Sequence, residues 1–153
     1  MSDAEKLITR NRKAFHDYHI VEEFEAGLVL QGTEVKALRE GSASIKEGWV
    51  DIKDDEAWLV DAHIPPYSHG SDANHEPFRR RKLLLHKREI RKMDQRIKEK
   101  GYTAVPLRLY FKRGVAKLVV GLAKGKTHGD KRESMRERDD KRDMDRAMRT
   151  RRK

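Results

Sequence analysis

Cysteine is absent from this chain of 153 residues. Its absence excludes disulfides, thiolate chemistry and cysteine-based zinc sites, and it suits a protein of a reducing compartment. Long apolar runs are also missing, since none approaches the roughly 18 residues that a membrane-spanning helix needs. Residues 1–10 carry charges where a signal peptide has its apolar stretch. We therefore expect a cytoplasmic protein with no membrane partner.

Charged residues, in contrast, make up 41% of the chain and give it a net charge of +10. The excess is concentrated in residues 124–153, which we call the tail. The tail holds 13 Lys or Arg against 7 Asp or Glu, and so carries six of the ten net charges. A surface this basic favours nucleic acid as a partner, and arginine in particular binds phosphate and stacks on bases. The simpler alternative for the tail is a solubilising extension.

The apolar residues concentrate before Gly125, so the sequence predicts one folded domain over residues 1–123 followed by the tail. Opposite charges four residues apart in the tail, such as Glu137 and Lys141, would support a helix. The tail has too few apolar residues to bury one face of that helix. We therefore expect it to be largely disordered when free and to become helical only on a surface that favours a helix.

Alternating and apolar segments separated by turn residues predict six strands and two helices. The predicted strands cover residues 18–23, 27–31, 44–53, 57–64, 105–112 and 116–122. One predicted helix has Thr33 as its N-cap and Gly41 at the C′ position, and the other covers residues 85–100. Residues 65–77 lack periodicity and predict an exposed loop. The pattern indicates a mainly β fold with flanking helices, for which a small β-barrel of the oligonucleotide-binding (OB) type is the obvious candidate among several.

The last two predicted strands form a hairpin joined by a tight turn. In the first of them, the odd-numbered positions of residues 105–111 are apolar and alternate with polar or aromatic residues that include Arg108, Tyr110 and Lys112. The alternation predicts one apolar face and an opposite face that offers cations and an aromatic ring.

Histidines and carboxylates in the middle of the sequence leave open a metal-dependent enzyme such as a nuclease. The candidate ligands are His63, His69, His75, His86, Asp61, Asp72 and Glu76. They show no recognised ligand spacing, so histidines of an ordinary loop surface are the simpler interpretation. Charge and tail alone also fit a structural ribosomal protein or a general RNA chaperone with an OB-type barrel.

Segments along nearly the whole chain resemble the small protein B family, whose members are also called SsrA-binding proteins. The matching segments are NRKAFHDY at residues 11–18, EAG at 25–27, LQGTEVKALREG at 30–41, IPPY at 64–67, RKLLLHK at 81–87, KGYT at 100–103, GLAKGK at 121–126 and DKR at 130–132. The resemblance implies an OB-type barrel, which agrees with the predicted strands.

The resemblance also implies a function as an RNA-binding adaptor that is not an enzyme and uses no cofactor or metal. Proteins of this family bind the tRNA-like domain of transfer-messenger RNA and accompany it to stalled ribosomes for trans-translation, which releases the ribosome and tags the unfinished chain. The barrel would stand in for the missing anticodon arm. The tail would become helical in the vacant mRNA channel at the small-subunit decoding centre. The implied partners are this RNA and the ribosome, with the protein bound to RNA as a monomer.

Six RNA-binding positions carry over from the resemblance: Asn11, His16, Glu25, Leu84, Lys124 and Lys126. Asn11 and His16 would donate to phosphate or base edges, and Leu84 would pack against an unstacked base. Since a carboxylate repels phosphate, Glu25 would accept from a base amino or imino group or hold a nearby cation. The alternatives are a helix cap or surface group for Asn11 and His16, an ordinary surface charge for Glu25 and a core position for Leu84.

Ribosome contacts of the tail carry over to eight residues: His128, Asp130, Lys131, Arg132, Arg136, Arg138, Lys141 and Arg142. One position departs from the family pattern. Gly129 stands where the family has a His or Tyr ring, and His128 lies one residue early. The conformational freedom of a glycine would let His128 swing into that place.

Overall fold

The computed structural model of this chain describes residues 5–70, 72–99 and 101–126. Their elements follow one another in the order β1 (Glu5–Arg10), α1 (Arg12–Asp17), β2 (Tyr18–Leu28), α2 (Gly32–Arg39), β3 (Trp49–Lys53), β4 (Glu56–Val60), β5 (Arg81–Leu84), α3 (Lys87–Lys98), β6 (Tyr102–Lys112) and β7 (Val115–Gly125). None of the helices in these ranges is long and apolar enough to cross a membrane. The prediction of a mainly β fold with flanking helices is confirmed.

The strands join one antiparallel sheet in the order β1-β6-β7-β2-β5-β4-β3. Two tight hairpins organise this sheet. Arg113 and Gly114 between β6 and β7 both have positive φ, as do Asp54 and Asp55 between β3 and β4. Two-residue turns with positive φ at both positions match the right-handed twist of the flanking strands. The hairpin predicted near the end of the domain is confirmed.

The sheet curls so that the region before β3 returns to β6. A Cβ added at Gly48 would lie 3.2 Å from Pro106 Cγ, which shows how closely the two segments pack. The amide of Asn11 bridges them, because its Nδ2 donates to the carbonyl oxygens of Pro106 at 2.8 Å and of Ile45 at 3.3 Å. This return forms the partly open barrel that the strand pattern predicted.

The larger apolar cluster lies inside the curled sheet and beneath α2 and α3. Leu38 of α2 and Met93 of α3 pack with strand residues such as Leu59 and Leu118, and all four are at most 2% exposed. Full burial of a side chain of this size contributes about 1.5–3 kcal/mol. This cluster is therefore a main source of the stability of the fold.

A second, smaller cluster lies on the other face of the sheet, where α1 covers β6 and β7. Its buried members are Ala14, Val105, Leu107, Tyr110, Val119 and Ala123. Through Ala14, the cluster fixes the short helix α1 against the sheet. It also buries the ring of Tyr110, whose hydroxyl reaches the candidate site described below.

A β-bulge in β6 changes which alternate residues of this strand face each of the two clusters. The pairing of β6 with β7 shifts register between Pro106 and Arg108, so that Leu107 is the extra residue. The prediction that the apolar positions of residues 105–111 share one face is wrong, since Leu107 packs in the cluster under α1 whereas Leu109 packs in the larger one. The exposed aromatic ring predicted on β6 is also corrected, because Tyr110 is 0% exposed.

A buried ion-pair cluster fastens α2 to β5. Glu34 and Arg81 are both 0% exposed, and Arg81 Nε donates to Glu34 Oε2. Arg79 Nη2 donates to Glu34 Oε1 at 2.6 Å, and the remaining nitrogens of Arg81 donate to the carbonyl oxygens of Ala62 and Pro77 at 2.9 and 3.0 Å. Burial by itself raises the pKa of Glu34, but hydrogen bonds from Arg79, a backbone amide and Arg81 hold it below its usual value. The carboxylate therefore stays ionised inside the protein.

Several predicted strand boundaries are corrected by the structure. The two strands predicted over residues 18–23 and 27–31 are the single strand β2, which ends at Leu28. The strand predicted over residues 44–53 begins only at Trp49, and the one predicted over residues 57–64 ends at Val60. The elements β1, α1 and β5 were not predicted, because four to six residues give too little periodicity to identify.

The start of α2 and the following long loop also differ from expectation. The cap of α2 is Gln31 rather than Thr33, because the Glu34 side chain accepts from the Gln31 backbone N–H at 2.7 Å in a capping box. The Thr33 hydroxyl instead hydrogen-bonds His75 Nδ1 at 2.9 Å. Among their described positions, residues 65–77 contain no strand or helix, as predicted, but His75 is only 5% exposed. The loop is therefore partly packed against α2.

Candidate nucleic-acid interface

Glu25 and Leu84, two of the predicted RNA-binding residues, line one open groove of about 770 Å³. The pairing of β2 with β5 places Gly27 opposite Leu84, and Glu25 lies two positions before Gly27 on the same face of the strand. Leu84 is 55% exposed, so the alternative of a core position is wrong. A Cβ at Gly27 would lie 3.3 Å from Leu84 Cβ, so glycine gives the leucine its room.

The Glu25 carboxylate is held in place from β6. Tyr110 donates its hydroxyl to Glu25 Oε2 at 2.5 Å, and Lys112 Nζ lies 3.5 Å from the same oxygen. The hydrogen bond from Tyr110, opposed by slight desolvation and assisted by Lys112, lowers the pKa of Glu25 below its usual value. Burial and the hydrogen bond to Glu25 raise the pKa of Tyr110, which therefore remains a neutral donor. The groove thus presents an ionised, oriented acceptor.

Charges of both signs surround the groove. Its lining includes the acidic turn Asp54–Glu56 and the lysines Lys82, Lys87 and Lys117. Lys82 is engaged with Glu56 at 3.6 Å. A mixed lining of this kind is less suited to a run of phosphates than to an unpaired base, whose amino or imino hydrogens a carboxylate accepts and whose ring packs on an apolar side chain.

Asn11 is placed differently, because it is only 3% exposed. Its Oδ1 accepts from the backbone N–H of Ala14 at 3.1 Å and caps α1, while its amide nitrogen donates to the two carbonyl groups that close the barrel. The helix cap that sequence reasoning kept as an alternative is therefore its position in the structure. Contact between Asn11 and RNA stays a prediction.

His16 and the end of β7 form a second candidate contact region beside α1. The side chain of His16 is 38% exposed, and its Nδ1 lies 2.9 Å from Asp17 Oδ1. Lys126 joins this region, because its backbone N–H donates to the Asp17 carbonyl at 2.8 Å and its Nζ donates to the Phe15 carbonyl at 3.0 Å. Lys124 is exposed on the same strand end. Five of the six predicted RNA-binding residues thus fall into two regions rather than one, and the sixth, Asn11, is buried at the start of α1.

Sequence reasoning missed the partners of Glu25. The alternation of Arg108, Tyr110 and Lys112 in β6 was visible, but nothing in it indicated that Tyr110 would contact a residue 85 positions earlier. The contact arises because β2 and β6 both pair with β7 and are therefore only two strands apart in the sheet, within reach of a tyrosine and a glutamate side chain. Lys117, which lines the same groove from β7, was missed for the same reason.

The eight tail residues predicted to contact the ribosome, from His128 to Arg142, lie outside the described part of the chain. Within that part, no three His, Asp or Glu side chains are grouped so as to hold a metal ion. His75, one of the candidate ligands, instead uses both ring nitrogens in hydrogen bonds, with Thr33 Oγ1 and with the carbonyl of Ile64, each at 2.9 Å.

The fold and the groove together define a small, mainly β protein with a surface suited to unpaired RNA bases. A family model described as SmpB protein matches residues 8–150 of the chain. The chain belongs to the SmpB protein family.

Individual relatives are similar over almost their full lengths. The SsrA-binding protein of Geobacter metallireducens is 56% identical over 149 residues, which cover 97% of each chain. That of Sulfurihydrogenibium sp. is 52% identical over 145 residues, or 95% of each chain. A solved structure described as "tmRNA-SmpB: a journey to the center of the bacterial ribosome" contains a chain that is 46% identical, with a TM-score of 0.66 over 84% of this chain and 94% of that one.

Proposed function

We propose that this protein binds the tRNA-like domain of transfer-messenger RNA and delivers that RNA to stalled ribosomes for trans-translation. The observation that carries the proposal is membership of the SmpB family over residues 8–150, with relatives named SsrA-binding protein at 52% and 56% identity. The description of the similar solved structure names both tmRNA and the bacterial ribosome. The partners proposed here are therefore transfer-messenger RNA and the ribosome.

The groove supplies the base-recognition part of the proposed RNA interface. Leu84, at 55% exposure, offers an apolar surface for the ring of an unstacked base. Glu25 offers an ionised acceptor for an amino or imino group, since it is held by Tyr110 and Lys112. An ionised acceptor gives a stronger hydrogen bond than a neutral one, which favours bases that present a donor.

The region beside α1 supplies the phosphate-binding part. His16 and Lys124 are accessible there, and Lys126 lies against the end of the helix. The lysine ammonium groups bind the RNA backbone without reading its sequence, and salt weakens their contribution. Specificity in this proposal therefore depends mainly on the groove and on the shape of the RNA.

The part of the tail beyond Lys126 serves the second partner, since Lys124 and Gly125 belong to β7 and Lys126 lies against α1. In the proposal it enters the vacant mRNA channel at the small-subunit decoding centre and becomes helical there. A basic segment can occupy a phosphate-lined channel only when no mRNA holds the same place, so occupancy itself reports that the ribosome is stalled. The protein acts in the cytoplasm as a monomeric adaptor on its RNA and not as a catalyst.

A tagging assay tests the proposal. Ribosomes are stalled on an mRNA without a stop codon in a reconstituted translation system that contains alanyl transfer-messenger RNA, with and without the purified protein. We expect the tag to be added to the unfinished chain only when the protein is present. Absence of tagging, together with stable binding to ribosomes in the absence of transfer-messenger RNA, would instead favour a structural ribosomal protein or general RNA chaperone.

A further inference from the structure

The two oxygens of the Glu25 carboxylate have different surroundings. Two donors from β6 contact Oε2. One is the neutral Tyr110 hydroxyl and the other is the cationic Lys112 ammonium. Within the part of the chain that the structure describes, Oε1 has no hydrogen-bond partner. The Glu25 side chain is 42% exposed and lines the groove with Leu84, so Oε1 remains available to a ligand in the groove.

The hydroxyl that holds Oε2 belongs to a rigid residue. Tyr110 is 0% exposed and packs in the apolar cluster under α1. The Arg108 guanidinium lies 4.6 Å from the centre of its ring, and Arg108 is itself fixed by Glu5, whose Oε2 accepts from Nη1 at 2.8 Å. Because the ring cannot move without disturbing these contacts, the hydroxyl offers Glu25 a fixed anchor.

We infer that Tyr110 is the positioning residue of the RNA site: it holds Glu25 by Oε2, so that Oε1 is presented to the amino or imino N–H of an unpaired base lying against Leu84. The inference rests on the proposed function, since it names the residue that orients the proposed base acceptor. Without the anchor, a 42% exposed glutamate samples several rotamers and must be ordered when RNA binds. The lowered pKa of Glu25, whose largest cause is the Tyr110 hydrogen bond, is consistent with this anchor.

The test compares the full-length protein with Tyr110→Phe, which removes the hydroxyl and keeps the ring. We expect Tyr110→Phe to weaken binding of the tRNA-like domain about threefold to tenfold, as loss of one ordering hydrogen bond allows. We also expect NMR titration of the Glu25 carboxyl group to show its pKa rising toward 4.5. Tyr102→Phe is the matched control, because the Tyr102 hydroxyl has no hydrogen-bond partner among the described residues, and it should change neither readout.

A double-mutant cycle separates positioning from a general structural effect. If Tyr110 acts through Glu25, adding Tyr110→Phe to Glu25→Ala weakens RNA binding no further. An equal loss in both backgrounds, or wild-type affinity for Tyr110→Phe, would overturn the inference while leaving the proposed function intact. If the wild-type protein itself shows no preference for the tRNA-like domain, the proposed function fails and the inference fails with it. Should Tyr110→Phe fold poorly, Lys112→Gln takes its place in the same cycle, because it removes the second contact to Oε2. We expect Lys112→Gln to lower the RNA affinity less than Tyr110→Phe. An unchanged RNA affinity of Lys112→Gln would count against the inference.

Discussion

Replacing Gly121 with alanine tests the bulged packing of β6 on β7. A Cβ at this position would lie 2.7 Å from Leu107 Cδ1, 2.9 Å from Cγ and 3.1 Å from Cδ2. These distances are too short for carbon atoms in contact, whose optimum is about 3.5–4.0 Å. Leu107 is 1% exposed, so it has no free space into which to rotate. Alanine must therefore displace the leucine or separate the two strands.

The expected loss is about 2 kcal/mol, within the range of about 1–3 kcal/mol for overpacking a well-filled core. With a urea slope of about 2 kcal/mol per molar, the unfolding midpoint falls by about 1 M. Equilibrium urea unfolding followed by circular dichroism measures this change. Gly125→Ala is the matched control in the same strand, because nothing lies within 4 Å of a Cβ added there, and its midpoint should stay close to that of the wild type.

The reasoning also predicts how Gly121 and Leu107 couple. Leu107→Ala alone costs about 2–5 kcal/mol, because it leaves a cavity. It also removes Cγ, Cδ1 and Cδ2, the three atoms that the new Cβ would strike, so adding Gly121→Ala to Leu107→Ala should cost little more. A wild-type midpoint for Gly121→Ala, or costs that add fully in the double variant, would refute the account of the bulge.

Four further outcomes follow from the ion-pair cluster and from the two proposed interfaces. Arg81→Met removes the fully buried partner of Glu34 and the donor to the carbonyl groups of Ala62 and Pro77, and should cost about 3–5 kcal/mol of unfolding free energy in urea, so a loss below about 1 kcal/mol contradicts this role. Because the folded-state pKa of Glu34 is lowered, the carboxylate stabilises the fold above the ordinary value of 4.5, and this contribution is lost as pH falls through the folded-state pKa. The free energy of unfolding should therefore decline below about pH 4.5. An equally steep decline in Glu34→Gln would assign the pH dependence to other groups. Deleting residues 130–153 should leave RNA binding largely intact and abolish tagging, whereas lost RNA binding would argue against separate roles for barrel and tail. Glu25→Ala should lower affinity for the tRNA-like domain, and unchanged affinity would make it an ordinary surface charge.

The β6–β7 hairpin could be predicted because its signals are local. A tight turn at Arg113 and Gly114 separates two alternating segments, and the observed strands pair directly across it. The bulge at Leu107 could not be predicted in this way. An uninterrupted alternation is compatible with a regular strand. The extra residue, Leu107, needs room against β7, which comes from the missing side chain of Gly121.

The buried ion pair shows the same limit for charged residues. Glu34 lies in a short helix that could equally be solvated, and Arg81 stands in a basic run. Their contact joins residues 47 positions apart, and only the folded topology brings them together. A charged side chain is rarely fully buried unless it is paired, so the sequence alone favoured exposure for both.

The candidate site could be predicted only in part, because some of its contacts also join residues that are distant in the sequence. Glu25 and Leu84 followed from the family resemblance, and the pairing of β2 with β5 brings them onto one groove. The anchoring by Tyr110 requires the order of strands across the sheet, which local pattern does not contain. Asn11 illustrates the reverse case, because its residue type fits both a helix cap and an RNA contact, and burial at 3% exposure distinguishes the two in the free protein.

The central claim is that the barrel recognises a tRNA-like fold and not RNA in general. The most direct test is a binding titration of the purified protein with the tRNA-like domain of transfer-messenger RNA and with an unrelated structured RNA of the same length, at low and at physiological salt. Both affinities should fall with salt because of phosphate contacts, so the ratio between them measures recognition. The account predicts a preference of about a hundredfold or more that persists at physiological salt. Equal affinities for the two RNAs would contradict it.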